Sequence, residues 1–401
     1  MLAETQRSDS ASYDIHGIVG IGVMHCQNPI AQVIHRELQH FADLGKGERP
    51  HLTIVLGSAP SPDWAPHGTL VGEDLLCDKR TEEVTVLRRS GPVFSSDNVR
   101  FVLRGDTRRS GVPVSIYVPS LKTEAPRWLR VARALVRHDF LAQEEVVADA
   151  ILTGLVEPFL YYRLPNEGHS LVHASAVSNG LGILFFGSSN VGKTSMALHL
   201  VKEGFEFFGD DLVILNENGR LLSYPKRIKL EAQHLTAYPA LTSRIGSTMN
   251  PVKRLLFKRF ARNSAETPFQ MMFYHPAISE IFDNVRIGGQ SDLGALVYLK
   301  RAMRKDIGLR EIEMESCVET LATNLFWEFD TPAYRHNPYR YCMAYASNDD
   351  FLEGEIEQHH KVTRLLGKAI SRARSFELQL PLKFETWHAH QAMDKLLSAL
   401  G

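Results

Sequence analysis

The chain has 401 residues, of which 44% are hydrophobic and 23% are charged, and its formal net charge is −1. This length and composition are those of a globular protein of two or three domains with a sizeable core. Because the net charge is close to zero, there is no general attraction to nucleic acid or to an anionic membrane surface, and we expect neither as a partner.

Signals for export, membrane insertion or cross-linking are not evident in the sequence. The first residues are polar, and no apolar run reaches the roughly 18 residues of a membrane span. The four cysteines are far apart and form no C-x-x-C pair, which predicts reduced thiols instead of disulfides or a zinc site. We therefore expect a cytoplasmic protein.

The N-terminal third of the chain predicts a β-rich α+β domain. Residues 1–12 are expected to form a disordered tail, and residues 30–44 have the apolar spacing of a helix. Within residues 13–125, short alternating segments are separated by Gly, Pro, Asp and Ser, which is typical of an antiparallel sheet. These segments are 51–57, 83–89, 98–105 and 112–119. Because no motif for chemistry falls here, we interpret this domain as a recognition or packing unit.

Residues 126–165 have a helical apolar period and predict a connector of two helices before a C-terminal domain over 166–401. Arg130, Arg133 and Arg137 lie opposite the apolar positions of the first helix. A solvated face is favoured there over contacts with a phosphate or an acidic partner.

Residues 181–203 have the pattern of a phosphate-binding loop. The segment 187–194 satisfies G-x-x-x-x-G-K-[ST], an apolar run of strand length precedes it, and residues 194–203 predict an amphipathic helix. Inward-pointing backbone N–H groups and the positive end of that helix favour a polyphosphate. The residues expected to bind it are Gly187, Ser188, Ser189, Asn190, Val191, Gly192, Lys193, Thr194 and Ser195.

Charged groups at this loop and after the next strand predict phosphoryl chemistry. Lys193 can reach the β- and γ-phosphates, and the Thr194 hydroxyl is a hard oxygen ligand suited to Mg²⁺. A second apolar run, 205–208, ends at Gly209 and is followed by Asp210 and Asp211. Two carboxylates at that position can share metal binding and proton abstraction.

The loop sequence is also similar to that of small translation-type GTPases. Those proteins need a nearby D-x-x-G and a later N-K-x-D for guanine. The closest match to the first motif begins at Asp330, which lies far downstream, and it has Ala333 in place of the final glycine. The second motif is absent. The sequence therefore does not favour a GTPase.

The chain more closely resembles the C-terminal domain of the HPr kinase/phosphorylase family, which is related to phosphoenolpyruvate carboxykinase. The features that carry the resemblance are His173 followed by Ala174, the phosphate loop, the basic-glycine turn ending at Gly204, and the Asp210–Asp211 pair. The resemblance covers residues 170–216 well and extends loosely to the end of the chain, through expected strands over 295–301 and 375–381 and an expected closing helix near 388–400. It implies an α/β fold for the C-terminal domain.

The resemblance also implies roles for individual residues. The loop would hold the phosphates of ATP, with Thr194 on Mg²⁺ and Asp210 accepting the proton of the attacking hydroxyl. Asp211 would support the metal or the loop, and His173 would lie beside the transferred phosphate. Members of the family form oligomers, so a homo-oligomer is a further expectation from the resemblance.

Two departures from the family pattern predict a divergent member. The family carries Glu directly after the loop hydroxyl, where this chain has Ser195, and its glycine-rich second signature has no copy, although Arg227, Lys229 and Glu231 lie near its place. We therefore do not expect phosphorylase activity or HPr as the substrate. The acceptor would be a hydroxyl on a peptide, a protein or a small molecule.

Two further stretches are weaker candidates for contact with a substrate than the phosphate loop is. Residues 251–263 predict an amphipathic basic helix, for which a solvated basic face is favoured over a clamp on an acidic substrate or on ATP. Residues 331–346 are rich in Tyr, His and Arg and predict either a base-stacking pocket or an ordinary loop.

Together these features predict an ATP- and Mg²⁺-dependent kinase. One alternative is a nucleotide-binding switch or scaffold that hydrolyses ATP slowly and has no phosphoacceptor. A decarboxylating enzyme like phosphoenolpyruvate carboxykinase is less favoured, because no cluster of His, Lys and Asp ligands extends beyond Asp210 and Asp211.

Overall fold

The structure, a computed structural model, is a mixed α/β protein. It describes residues 10–24, 28–43, 45, 50–56, 69–70, 75–78, 83–89, 98–104, 114–118, 143–228, 230, 234, 243, 251, 277–304, 306–330, 351–383 and 386–401. The chain divides into two compact units, each built from separate segments. Unit 1 contains 1–130, 142–167 and 329–360, and unit 2 contains 131–141, 168–328 and 361–401.

Unit 1 contains a sheet with the strand order β3-β1-β2-β4-β9-β8-β7-β6-β5. Its strands are β1 (Ser10–Ile15), β2 (Val19–Met24), β3 (Ala42–Asp43), β4 (Leu52–Leu56), β5 (Thr69–Leu70), β6 (Leu75–Asp78), β7 (Glu83–Arg89), β8 (Asn98–Arg104) and β9 (Val114–Val118). The expected antiparallel sheet is partly wrong, because β2 pairs with β4, and β4 with β9, in parallel. Parallel neighbours need a crossover connection, and between β2 and β4 the crossover includes a helix, α1 (Pro29–Leu38).

Two boundaries near the N-terminus differ from the expected ones. Strand β1 begins at Ser10 and pairs with β2, so the expectation of a disordered tail is wrong for residues 10–12. Helix α1 begins after Asn28, whose side chain accepts a hydrogen bond from the Ile30 N–H at 2.9 Å and so caps the first turn. The helix ends at Leu38 instead of continuing to residue 44, because the chain turns there into the short strand β3.

The helices of unit 1 described next lie within the segment predicted as a helical connector, residues 126–165. They are α2 (Gln143–Ile151), a π-helical turn (Leu152–Val156) and α3 (Glu157–Arg163), and the first connector helix, with its three arginines, lies outside the described residues. A later helix, α7 (Phe351–Ile370), contacts α3 through polar groups. The Tyr162 hydroxyl donates to the buried carboxylate of Glu355 at 3.2 Å, and Gln358 donates to the carbonyl of Tyr161 at 2.7 Å.

Unit 2 contains the sheet that positions the candidate site. Its strands are β10 (His169–Val172), β11 (Ala174–Asn179), β12 (Leu181–Phe186), β13 (Glu206–Gly209), β14 (Val213–Asn216), β15 (Arg220–Leu222), β16 (Gln290–Ala302), β17 (Gly308–Glu311) and β18 (Arg374–Pro381). Strand β16 lies between β12 and β18 and is parallel to both. Strand β11 is antiparallel to both β12 and β13, so those two strands also run in the same direction.

Helices pack on this sheet through apolar side chains. They are α4 (Lys193–Lys202), α5 (Ile278–Ile281) and α8 (Thr386–Leu400), and a further helix, α6, spans Met314–Asp330. Met196 and Leu200 of α4 and Leu396 of α8 are fully buried in one cluster with Phe185 and Phe376 of the sheet. Burying a side chain of this size stabilises the fold by roughly 1.5–3 kcal/mol, so this face holds α4 firmly against the strands.

The remaining predictions have mixed outcomes. The strands expected over 295–301 and 375–381 and the helix expected near the C-terminus are confirmed by β16, β18 and α8. The expected basic helix over 251–263 and the aromatic stretch over 331–346 lie outside the described residues, apart from Pro251. Among the helices in the described segments, none is long and apolar enough to cross a membrane.

Candidate functional site

The predicted site residues lie together at one edge of the sheet in unit 2. The loop over 187–192 follows the carboxyl end of β12, and Asp210 follows the carboxyl end of the parallel strand β13. His173 directly precedes β11, whose first residue, Ala174, is paired with Phe186 at the end of β12. In open α/β sheets the carboxyl edge of parallel strands is where ligands bind, so the topology favours a binding site here.

The loop has the backbone conformation that its glycines predict. Gly187 has φ 144°, and a Cβ placed on it would lie 2.6 Å from the carbonyl oxygen of Leu299 on β16. Gly192 has φ 119° and directly precedes α4, whose first residue is Lys193. Because the N-terminus of a helix carries a partial positive charge and free N–H groups, this end of α4 favours an anion.

The Lys193 side chain is held at the loop. It is buried, and its ammonium group donates to the carbonyl oxygens of Gly187 at 3.0 Å and Ser188 at 3.3 Å. These neutral acceptors bind an ammonium less strongly than anionic oxygens do. A phosphate entering the loop would therefore compete well for this cation.

Asp210 connects the loop to the neighbouring strands. The Thr194 hydroxyl lies 3.0 Å from each of its two carboxylate oxygens, and the Ser175 hydroxyl of β11 donates to Oδ1. Burial raises the pKa of Asp210, and the neighbouring charge of Asp211 raises it further, while the two hydroxyls and Lys193 act in the opposite direction. The carboxyl group is thus less acidic than an exposed one.

Asp211 lies among cationic and basic groups. One of its carboxylate oxygens is 3.5 Å from the Lys226 ammonium, and the other is 3.6 Å from Nδ1 of the buried His173. Its backbone has φ 77°, and its carbonyl accepts from the Ala174 N–H at 3.2 Å. A residue other than glycine in this region costs of order 1–3 kcal/mol, so the surrounding contacts hold Asp211 in place.

Ser195, the residue after Thr194, contacts a buried histidine. Its hydroxyl is 3.1 Å from Nε2 of His234. Burial lowers the pKa of His234 to about 4, so the imidazole is neutral at neutral pH. The chain therefore places the Ser195 hydroxyl against a neutral ring.

The structure brings the predicted residues together and adds three others. Lys193, Thr194, Asp210, Asp211 and His173 form one connected cluster. Of the other predicted loop residues, Val191 and the two glycines are buried and the rest are at least partly exposed. The residues that the sequence did not indicate are Ser175, Lys226 and His234.

Hard oxygen ligands for a magnesium ion are present in this cluster. The Thr194 hydroxyl and the Asp210 carboxylate are adjacent, and Mg²⁺ characteristically binds through one or two protein oxygens, with substrate phosphates and water completing its shell. Within the part of the chain that the structure describes, no group of three or more His, Cys, Asp or Glu is arranged to hold a metal ion.

The fold and this cluster define a mixed α/β protein with a strand-loop-helix site at the carboxyl edge of a sheet. No protein-family model matches the chain, and no curated protein matches it. Among solved structures, the HPr(Ser) kinase/phosphatase from Coxiella burnetii is similar to it, with 10% sequence identity. The match covers 58% of this chain and 99% of that chain with a TM-score of 0.26, which marks a distant structural neighbour at most.

Proposed function

We propose that this protein is an ATP-dependent kinase that transfers the γ-phosphate of ATP to a hydroxyl group of a peptide, a protein or a small molecule. The observation that carries the proposal is the contact of the Thr194 hydroxyl with both carboxylate oxygens of Asp210. This contact joins the loop that would hold the phosphates to the carboxylate that would take part in proton transfer near the metal.

The loop over 187–194 would bind the phosphates of ATP. Ser188, Ser189 and Asn190 are exposed, so the backbone at the tip of the loop is accessible to a ligand. Lys193 would exchange its two carbonyl acceptors for phosphate oxygens, which form stronger charge-assisted hydrogen bonds. The helix N-terminus at Lys193 adds further positive potential.

Magnesium would be held by the Thr194 hydroxyl beside Asp210, with Asp211 in support. Asp210 and Asp211 are consecutive, and the charge of Asp211 raises the pKa of Asp210, so bound positive charge would stabilise the pair. When bound, the ion would neutralise charge that develops on the transferring phosphoryl group. The Thr194 hydroxyl would keep its hydrogen bond to Asp210. The lone pairs of that hydroxyl oxygen would then point away from the carboxylate and towards the ion.

Asp210 would accept the proton of the attacking hydroxyl. Its buried position raises its pKa towards the range in which a carboxylate is an effective general base. Lys226 and His173 lie on the other side of the pair, against Asp211, where they would stabilise the transferred phosphate. Because phosphoryl transfer depends mainly on positioning and charge neutralisation, these few groups suffice.

Transfer of label from γ-labelled ATP with Mg²⁺ tests the proposal. The acceptors would be extracts of the native host, separated into protein and small-molecule fractions. Lys193→Ala is expected to lower transfer by about 10²-fold or more, and Asp210→Asn by about 10²–10⁴-fold. Lys202→Ala is the matched control, because Lys202 is exposed at the opposite end of α4.

The outcome separates a kinase from the alternative. Label in one fraction, present with the wild type and Lys202→Ala but not with Lys193→Ala, would support the proposal and identify the acceptor class. An Asp210→Asn protein with full transfer would contradict the role of Asp210. ATP binding without a labelled product in either fraction, and with slow hydrolysis that no acceptor changes, would instead indicate a nucleotide-dependent switch or scaffold.

A further inference from the structure

A cavity of about 440 Å³ lies in unit 2 at the opposite edge of the sheet from the phosphate loop. Its wall includes Gly180, in the turn before β12, and Glu206, the first residue of β13. The cavity is therefore at the amino end of these two parallel strands, whereas the phosphate loop follows the carboxyl end of β12. Its volume is within the roughly 300–1,000 Å³ of small-molecule sites.

The lining of this cavity is polar, and its charges balance. Its guanidinium, carboxylate and hydroxyl groups belong to Arg220, Arg286, Glu206, Asp292, Ser178 and Ser291, and the other lining residues are neutral. Ser178 is buried, and its hydroxyl lies 2.8 Å from that of Ser291, so the two hydroxyls form a fixed polar pair. Because positive and negative groups are equal in number, the lining favours a ligand that carries both charges over an ion of one sign.

The charged groups of the cavity are paired only loosely with one another. Nε of Arg220 is 3.6 Å from a carboxylate oxygen of Asp292, and Nη1 of Arg286 is 3.6 Å from a carboxylate oxygen of Glu206. Charge-assisted hydrogen bonds have lengths of about 2.7–2.9 Å, so neither pair forms one. All four side chains are exposed, and exposed ion pairs contribute little to stability. A ligand can therefore replace either partner at small cost.

We propose that this cavity binds a small zwitterion, a ligand with one carboxylate and one ammonium group, of the size of an amino acid or a dipeptide. The carboxylate would accept from the guanidinium of one pair, whose planar set of N–H donors matches two carboxylate oxygens. The ammonium group would donate to the carboxylate of the other pair. The hydroxyls of Ser178 and Ser291 would complete the hydrogen bonds of the ligand's polar groups.

The zwitterion in this cavity would not be the phosphate acceptor. Strand β12 has 6 residues and separates the cavity from the phosphate loop. At a rise of about 3.3 Å per residue the strand spans about 20 Å, whereas an extended dipeptide spans only about 7 Å. The cavity is therefore a site additional to the cluster around Asp210, and this proposal stands independently of the proposed kinase activity.

Calorimetric titration of the full-length protein with each common L-amino acid, and with glycylglycine and alanylalanine, tests this site. At least one of these probes should bind with a Kd of about 1 mM or tighter. Replacing both arginines, Arg220→Gln with Arg286→Gln, should weaken that binding by about tenfold or more, because it removes the donors to the carboxylate. Arg374→Gln is the matched control and should bind like the wild type, since Arg374 forms a similarly exposed ion pair with Glu311 but does not line the cavity.

Two further measurements test the charge of the ligand. Glu206→Gln combined with Asp292→Asn keeps the shape of the lining and should also weaken binding by about tenfold or more. The N-acetylated and the amidated forms of the bound probe each lack one charge and should both bind about tenfold more weakly or worse. An acetylated form that binds as tightly as the free probe would indicate an anion site and overturn the proposal. Equal isotherms for the wild type and the double arginine variant, or a wild type that binds none of the probes, would overturn it as well.

Discussion

The buried, neutral His234 predicts a specific sensitivity to acid. Burial lowers its pKa from 6.5 to about 4. Because one pKa unit corresponds to about 1.4 kcal/mol, this difference is worth up to about 3 kcal/mol of folding free energy. The folded pKa lies below the unfolded one, so this stability is complete above about pH 6.5 and is lost as the pH falls towards about 4.

The His234→Gln variant removes this titration while keeping a polar side chain against Ser195. We expect the urea-unfolding free energy of the wild type to fall by about 2–3 kcal/mol more than that of the variant between about pH 7.5 and about pH 4.5. Ser195→Ala is the control, because it removes the hydroxyl contact but leaves the histidine buried, and it should follow the wild type. Parallel pH profiles for the wild type and His234→Gln would refute burial as the cause.

Three other substitutions test the site. Asp210→Asn should raise the unfolding free energy near neutral pH, because burial raises the pKa of Asp210 and the ionised form therefore destabilises the fold. A urea midpoint that falls would contradict this. Gly187→Ala should cost more than about 1 kcal/mol in the same assay, because its φ is 144° and the new Cβ would meet the carbonyl of Leu299. Lys226→Met should lower phosphotransfer by about 10²-fold with unchanged ATP affinity, and equal transfer rates would exclude Lys226 from the reaction.

Local patterns in the sequence predicted the elements that form the candidate site. The apolar run over 181–186 is β12 with the same bounds, because a strand buried between neighbours needs apolar residues at every position. The loop glycines also have the backbone geometry that only glycine adopts easily. Each of these features depends on residues that are close in sequence.

The residues that the sequence did not indicate reach the site through long-range pairing. Ser175 meets Asp210 because β11 lies between β12 and β13, and the two residues are separated by 35 positions. His234 meets Ser195 across 39 positions. Alternation of apolar residues shows that strands exist but does not give their order or direction, which is also why the parallel pairs β2-β4 and β4-β9 were not predicted.

The two aspartates of the site have different surroundings, and in the proposed reaction this difference would give them different roles. Asp210 is buried and receives hydrogen bonds from the neutral hydroxyls of Ser175 and Thr194, and burial raises its pKa. Asp211 instead faces the ammonium of Lys226 and the ring of His173. Consecutive carboxylates in unlike environments are how one site separates a group that exchanges a proton from a group that stays charged. Both residues carry the same functional group, and the strands that pack around them are what would make Asp210 the better base and Asp211 the better anchor in the proposed reaction.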